Sequence, residues 1–198
     1  MKTDLFHSLA GKTLRFRPLD VSDVLQIHSY TSDEDASRFI GWKLMKTPEE
    51  TLRHIEEMRK REAAGTHIYA SIVLEETKEL IGTAMIFNFD LEASHAEIGY
   101  VLHPKHCGIG YGTEAISMMD SFAFDILHLH KLHAQVVEAN TGSLRILEKN
   151  GFHLEGRLRD YYLIDRRYHD ALLYGRFNPE ERGEFLERSH DHEEDIIL

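Results

Sequence analysis

The feature that most constrains this chain is a glycine-rich stretch, residues 104–115, between two segments of different periodicity. Apolar residues alternate before it, as in a β-strand, and recur after it with the spacing of a helix. A strand, a glycine-rich turn and a helix start direct free backbone N–H groups and the positive helix end at an anion. Three glycines at alternate positions let the backbone approach a phosphate without intervening Cβ atoms: Gly108, Gly110 and Gly112. The stretch predicts an anion-binding turn, and a turn that only redirects the chain is the alternative.

Two familiar phosphate-binding loops do not fit these glycines. A P-loop requires Gly-Lys-Ser or Gly-Lys-Thr after its glycines, and no such triplet follows here. The dinucleotide fingerprint requires a third glycine at the position where this chain has Thr113. These spacings disfavour a nucleotide-binding protein.

Segments around the glycine stretch share the pattern of one enzyme superfamily. Residues 105–110 (KHCGIG) resemble Gln/Arg-x-x-Gly-x-Gly/Ala, the acetyl-CoA loop of the GNAT acetyltransferases. Residues 96–102 (AEIGYVL) resemble the fourth strand of that superfamily. Residues 140–143 (NTGS) and 147–152 (LEKNGF) resemble its Asn-x-x-Ser and Glu-Lys-x-Gly-Phe signature. Residues 154–159 (LEGRLR) continue the pattern of the RimJ/RimL branch, which acetylates ribosomal-protein N-termini and related amines.

The resemblance covers residues 14–177 of the 198-residue chain and implies the GNAT fold. That fold is an α/β (α+β) architecture, a central, twisted, mixed but mostly antiparallel sheet of about seven strands flanked by four helices. We expect a single acetyltransferase domain over residues 1–198, with its core at about 13–177 and a charged C-terminal tail at 178–198. The order implied is β-α-α-β-β-β-α-β-α-β-β.

Local signals place these elements along the chain. No element is predicted for residues 1–12, and the alternating run Leu14–Arg17 before Pro18 predicts the first strand. A helix capped by Asp20 or Ser22 follows, and Thr47 before Pro48 begins another that extends to about residue 64. The remaining predicted strands are 68–74, 80–89, 96–102, 131–137, 153–163 and 168–177. A helix should follow the glycine loop, with apolar helical spacing from Ala115, and extend to about residue 127. A short helix should end at about residue 150 after Asn140, and a packed loop or short helix is expected within 31–46.

The resemblance implies acetyl-CoA as co-substrate. In the family, main-chain N–H groups of the glycine loop hold the pyrophosphate, and the pantetheine arm binds in a gap beside the fourth strand. Asn140 contacts that arm by its family position, and a helix N-cap is its alternative role. Lys105 stands where the pattern has Gln or Arg, and it keeps a positive charge without a planar guanidinium. The predicted cofactor-binding residues are Val101, Leu102, Lys105, His106, Cys107, Gly108, Ile109, Gly110, Tyr111, Gly112, Thr113, Asn140, Ser143 and Lys149.

The chemistry of amine acetylation directs attention to two further side chains. An α-amine has a pKa of about 8, so a base must remove a proton before nitrogen attacks the thioester. Glu97 fits that role by its family position, and a solvated strand carboxylate is the alternative. Many GNAT enzymes protonate the departing thiolate with a tyrosine at the position of Leu147, which cannot donate. Ser143 is the replacement in the RimJ/RimL pattern, and a helix cap is its alternative role.

Composition limits the classes of partner. The net charge of −11 argues against nucleic acid and anionic membranes and suits a cationic acceptor. The single cysteine, Cys107, excludes an internal disulfide and fits a cytoplasmic protein, and no leader or membrane-spanning segment is expected. A nucleophilic role for Cys107 is disfavoured because no matching base can be assigned. No metal is expected, since neither one helix face nor one strand face would gather His128, His130 and His133.

Together these observations predict an acetyl-CoA-dependent N-acetyltransferase that transfers the acetyl group directly to a primary amine. The branch favours a protein N-terminal α-amine, with a ribosomal protein as partner. A small amine, such as a polyamine, an amino acid or an antibiotic, is one alternative, and a non-catalytic acyl-CoA-binding module is another. Neither the acceptor nor a homo-oligomeric state follows from the sequence, because residues 31–46 and the last hairpin carry no constraining motif.

Overall fold

The computed structural model describes residues 2–39 and 44–180. The predicted tail beyond residue 180 and the apolar residues Ile40 and Trp42 therefore lie outside the described residues. The helices are α1 (Thr3–His7), α2 (Val24–Thr31), α3 (Glu34–Ser37), α4 (Pro48–Ala63), α5 (Tyr111–Ser121) and α6 (Thr141–Lys149). The strands are β1 (Leu14–Arg17), β2 (Ile68–Leu74), β3 (Leu80–Asp90), β4 (His95–Leu102), β5 (Lys131–Val137), β6 (His153–Ile164) and β7 (Arg167–Phe177).

Seven strands form one sheet in the order β1-β2-β3-β4-β5-β7-β6. Neighbouring strands are antiparallel except β4 and β5, which are parallel. The predicted mixed, mostly antiparallel sheet is therefore confirmed, and so are the four predicted helices, α2, α4, α5 and α6. The short-helix alternative within residues 31–46 is also observed, as α3, whose N-cap Asp33 accepts a hydrogen bond from the Ala36 N–H at 2.8 Å.

Two local predictions differ from the structure. The expectation of no element in residues 1–12 is wrong, because α1 forms there. Its Phe6 is fully buried, with ring centroids 5.2 Å from Phe16 and 4.9 Å from Phe122, so tertiary packing holds a helix of one turn. The helix predicted to about residue 127 ends as an α-helix at Ser121 and continues as a π-helix over Phe122–Ile126.

Strand alternation divides the core between the two faces of the sheet. Ile68, Ala70 and Ile72 of β2 pack in a cluster with α1 and α5, whereas Tyr69 and Val73 pack with α2 and α4. Helices therefore cover both faces, and the loop from β4 to α5 lies at the sheet edge where β4 ends. None of the helices in the described ranges is long and apolar enough to cross a membrane.

Candidate active site

Strands β4 and β5 pair only over a short run and then separate. The last paired residues are Glu97 and His133, although β4 continues to Leu102 and β5 to Val137. On their outer sides, β4 stays paired with β3 to Leu102 and β5 stays paired with β7 to Val137. Complete ladders on both flanks therefore hold a gap open within the sheet. Main-chain groups that border this gap are available to a ligand.

Two cavities meet at the gap. A loop-side cavity of about 460 Å³ lies among the glycine loop, the end of β4 and α6. A sheet-side cavity of about 640 Å³ lies among β3, β4, β5 and the end of β6. The residues that line both cavities mark their junction: Phe39, Tyr100, Asn140 and Ser143. A molecule that spans the junction would contact the glycine loop at one end and the sheet-side cavity at the other.

The glycine loop has two kinds of glycine. Gly108 and Gly110 have φ angles of +80° and +103°, and open space surrounds the position of a Cβ atom on either residue. Because L side chains rarely adopt this backbone conformation, both positions favour glycine. Gly112 is different, since a Cβ there would lie 2.7 Å from Ile146 Cδ1. Gly112 therefore allows α5 and α6 to pack closely, a role that the sequence did not indicate.

Ten of the predicted cofactor-binding residues line the loop-side cavity: Val101, Leu102, Cys107, Gly108, Gly110, Gly112, Thr113, Asn140, Ser143 and Lys149. Four others do not line it. Lys105 Nζ lies 2.6 Å from Glu79 Oε1, and His106 Nε2 lies 3.4 Å from the same oxygen. Ile109 and Tyr111 are the other two predicted residues that do not line this cavity, and Ile109 is exposed.

Arg145 also lines the loop-side cavity, and the sequence reasoning missed it. It stands four residues before Lys149 on α6, so both basic side chains lie on the same side of the helix. That spacing was the signal that could have revealed it. The two residues add positive charge to the cavity that the glycine loop also lines.

Glu97 faces the sheet-side cavity, with its side chain 18% exposed. The Asn88 side-chain amide donates a hydrogen bond to Oε2 at 2.8 Å, and the Gln135 backbone N–H donates another to the carboxylate. Burial raises the pKa of Glu97, and these two hydrogen bonds oppose that rise. Glu97 is therefore a partly buried carboxyl group, and its raised pKa suits a group that accepts a proton.

Ser143 stands in the first turn of α6, but it is not the cap. Asn140 Oδ1 accepts a hydrogen bond from the Ser143 N–H at 3.2 Å, so the alternative expectation of a Ser143 cap is wrong and that for Asn140 is confirmed. Ser143 Oγ instead lies 3.3 Å from the Tyr100 hydroxyl. Burial raises the pKa of Tyr100 to about 12, so this phenol is protonated at neutral pH. Leu147 is buried and lines the sheet-side cavity.

Cys107 and possible metal ligands are the remaining side chains of interest. Desolvation by the surrounding protein raises the pKa of the Cys107 thiol, which opposes a nucleophilic thiolate at this loop position. Within residues 2–39 and 44–180, no group of three or more His, Cys, Asp or Glu side chains could hold a metal ion.

Comparison with known proteins adds independent information. Residues 13–153 match the model of a family described as the acetyltransferase (GNAT) domain. The chain is 33% identical over 179 residues to the probable N-acetyltransferase YjcK of Bacillus subtilis (strain 168), covering 87% of this chain and 98% of the relative. It is 26% identical over 158 residues to the spermidine N(1)-acetyltransferase of Vibrio cholerae, covering 80% of this chain and 89% of the relative.

Among solved structures, the fold is similar to that of RimL, the ribosomal L7/L12 alpha-N-protein acetyltransferase in complex with coenzyme A. The TM-score is 0.76 at 22% sequence identity, and the similarity covers 86% of this chain and 97% of RimL. At this identity the similarity establishes the fold alone. This chain therefore shares its fold with an enzyme whose structure was solved with coenzyme A.

Proposed function

The chain belongs to the GNAT acetyltransferase family and is an N-acetyltransferase, and we propose that it transfers the acetyl group of acetyl-CoA to the α-amine of a protein N-terminus. The observation that carries this acceptor is the charge of the sheet-side cavity. Among its described lining residues, the charged side chains are Glu97 and Arg38. One carboxylate suits one ammonium group, and much of the remaining lining is apolar or aromatic.

A polyamine is the alternative acceptor, since one relative is a spermidine acetyltransferase and the chain carries a net charge of −11. A polyamine, however, carries further ammonium groups along its length. An ammonium group buried without a partner costs free energy. Arg38 offers no negative charge, and its guanidinium is already paired with Asp165 Oδ2 at 3.0 Å. The cavity therefore favours an amine whose neighbouring groups are uncharged, such as the first residues of a peptide.

Several features of the loop-side cavity support acetyl-CoA as donor. Its glycine loop presents main-chain N–H groups at the start of α5, where the helix dipole favours an anion. Arg145 and Lys149 add positive charge to the same cavity. The gap beyond Glu97 offers main-chain groups of Val101 and Leu102 to an extended arm such as pantetheine, and Asn140 borders the same path.

The side chains at the junction then have complementary tasks in the reaction. Glu97 accepts a proton from the bound ammonium group, which leaves a free amine to attack the thioester carbonyl. A main-chain N–H at the gap stabilises the oxyanion that forms on the carbonyl oxygen. Ser143 donates a hydrogen bond to the departing thiolate, and Tyr100 positions the Ser143 hydroxyl through the contact of 3.3 Å.

Acceptor competition tests the proposal. Synthetic peptides with free N-termini, the same peptides with blocked N-termini and an internal lysine, and spermidine are each incubated with acetyl-CoA. Released thiol gives the rate, and mass spectrometry locates the acetyl group. We expect kcat/KM for the best free peptide to exceed that for spermidine by about 10-fold or more, equivalent to about 1.4 kcal/mol. Preference for spermidine or for the internal lysine would contradict the proposed acceptor.

A further inference from the structure

A row of polar side chains leads from Glu97 to the protein surface. In the parallel β4–β5 pairing, Glu97 is opposite His133 and His95 is opposite Lys131, so these side chains share one face of the sheet. His133 Nε2 lies 3.8 Å from Glu97 Oε2. The rings of His133 and His95 meet edge to face, with centroids 5.3 Å apart. His95 Nε2 in turn lies 3.8 Å from Asp90 Oδ2.

Exposure increases steadily along this row. The side chains of Glu97 and His133 are 18% and 30% exposed, and those of His95 and Asp90 are 35% and 47% exposed. One end of the row therefore lies in the sheet-side cavity and the other lies in solvent. Glu155 also borders the row, with its carboxylate 2.7 Å from Lys131 Nζ.

The contacts of Glu97 determine where a proton on its carboxyl group can go. Asn88 and the Gln135 main chain meet the carboxylate with amide N–H groups, which donate hydrogen bonds and do not act as bases. The imidazole of His133, with Nε2 3.8 Å from Glu97 Oε2, is a base that can accept a proton. Glu97 must be ionised again before it can serve the next amine, and His133 offers its proton a path toward solvent.

Building on the proposed function, we infer that His133 is a positioning residue that relays the proton from Glu97 toward solvent. An N–H bond of the acceptor ammonium breaks as an O–H bond forms on Glu97. The separation of 3.8 Å is too long for a direct hydrogen bond, so the second transfer passes through a bridging water. The O–H bond on Glu97 breaks as its proton passes to this water, which gives one of its own protons to His133 Nε2. The imidazolium then releases its Nδ1 proton to water or to His95. Glu97 is again a carboxylate, His133 is again neutral, and the proton is in solvent.

The electrostatic surroundings support this direction of transfer. Burial raises the pKa of Glu97 and lowers the pKa of His133, so the two groups become closer in proton affinity. His95 and Lys131 lower the pKa of His133 further, whereas Glu155 raises it. A resting neutral imidazole beside a carboxyl group that becomes protonated is the arrangement that a relay needs.

The test uses steady-state kinetics of the full chain with acetyl-CoA and the best peptide of the acceptor panel. We expect His133→Gln to lower kcat by about 10-fold, with little change in the acceptor KM, because water replaces the relay inefficiently. The acid limb of its pH–rate profile should be shallower, because the variant lacks the imidazole whose protonation blocks the relay.

Added imidazole should restore rate to His133→Ala. His153→Gln is the matched control. His153 lies on β6 and pairs with Gly175 of β7, which pairs with His133 on its other side, but the His153 side chain is exposed.

A measurement without acceptor separates this inference from the proposed function. NMR titration of the His133 imidazole should show a lower pKa in Glu97→Gln than in the unaltered protein, because the nearby carboxylate is lost. An unchanged His133 titration would contradict the contact on which the relay depends. Acetylation with unaltered kcat and pH profile in His133→Gln would overturn the relay alone. If no amine were acetylated but the titration moved as expected, the acceptor proposal would fail and the contact would stand.

Discussion

Glu97 is a partly buried carboxyl group, and ionising it in the folded protein costs free energy. Burial raises the folded-state pKa of Glu97, so its unfavourable contribution is absent below the unfolded pKa of about 4.3. The cost develops as pH rises through the folded-state pKa. We therefore expect Glu97→Gln to raise Tm at neutral pH and to have little effect near pH 4. Thermal melts across this range check the sign, and a lower Tm at neutral pH would contradict it.

The same substitution should slow the reaction. If Glu97 removes the amine proton, Glu97→Gln should lower the rate at neutral pH by about 10²-fold or more. Much of the loss should return at high pH, where free amine is abundant without a base. The measurement is kcat/KM against pH at saturating acetyl-CoA. A profile that keeps its shape and height would leave Glu97 with a structural role.

Ser143 and Asn140 can be tested as a pair because the structure assigns the cap to Asn140. Ser143→Ala should reduce kcat only moderately, since a thiol pKa of about 8.5 already makes thiolate a tolerable leaving group. It should leave stability almost unchanged. Asn140→Ala should lower the free energy of unfolding by about 1 kcal/mol, the usual effect of losing such a cap. Denaturant unfolding measures the stability of each variant, and steady-state kinetics measures its turnover. A Ser143→Ala variant that was destabilised but kept full turnover would make Ser143 the cap instead of Asn140.

At the scale of elements, α6 brings its basic side chains to the loop-side cavity. Arg145→Ala and Lys149→Ala should each weaken CoA binding by about 10-fold at low salt, because each removes a cation opposite the phosphates. Calorimetry at two salt concentrations measures the effect, which should shrink as salt rises. Lys60→Ala on α4 is a charge-matched control. Equal CoA affinity in all three variants would place the phosphates elsewhere.

The sequence predicted the strand, glycine loop and helix around this cavity because their signals are local. Alternation in β4, glycine in the loop and helical spacing in α5 all lie within residues 95–121. In contrast, α1 depends on contacts of Phe6 with residues far along the chain, so no local pattern revealed it. The β4–β5 gap was expected only from family resemblance, because where a parallel ladder stops depends on both flanking ladders.

Side-chain partners within the site were the least predictable feature. Tyr100 and Ser143 are 43 residues apart, and Glu97 and His133 lie on different strands. Tyr100 was interpreted as an alternating strand residue, and its hydroxyl acquires a role only when α6 packs beside β4. Lys105 illustrates the opposite case, since its charge fitted the family pattern but its ammonium group contacts Glu79. Sequence identifies the chemistry of such groups, and tertiary packing decides what they contact.

At the scale of the whole molecule, the net charge of −11 should affect how the acceptor arrives. Seven acidic and two basic residues lie in residues 181–198, so the rest of the chain is also acidic. A negative potential around the enzyme raises the encounter rate of cationic peptides, and added salt screens that attraction. Among the described residues that line the sheet-side cavity there is one carboxylate, Glu97, and one guanidinium, Arg38. The charge of acceptor residues that lie outside the cavity should therefore affect binding more than the chemical step.

This reasoning predicts a particular salt dependence. For a peptide with several positive charges beyond its first residues, kcat/KM should fall about 10-fold between about 20 mM and about 300 mM salt, with kcat nearly constant. A peptide with the same first residues and no net charge should show little change. Saturating acetyl-CoA in both series removes the separate effect of salt on the anionic donor. If both peptides lost rate equally, the salt effect would lie in the cavity or the donor site, and long-range attraction of the acceptor would be excluded.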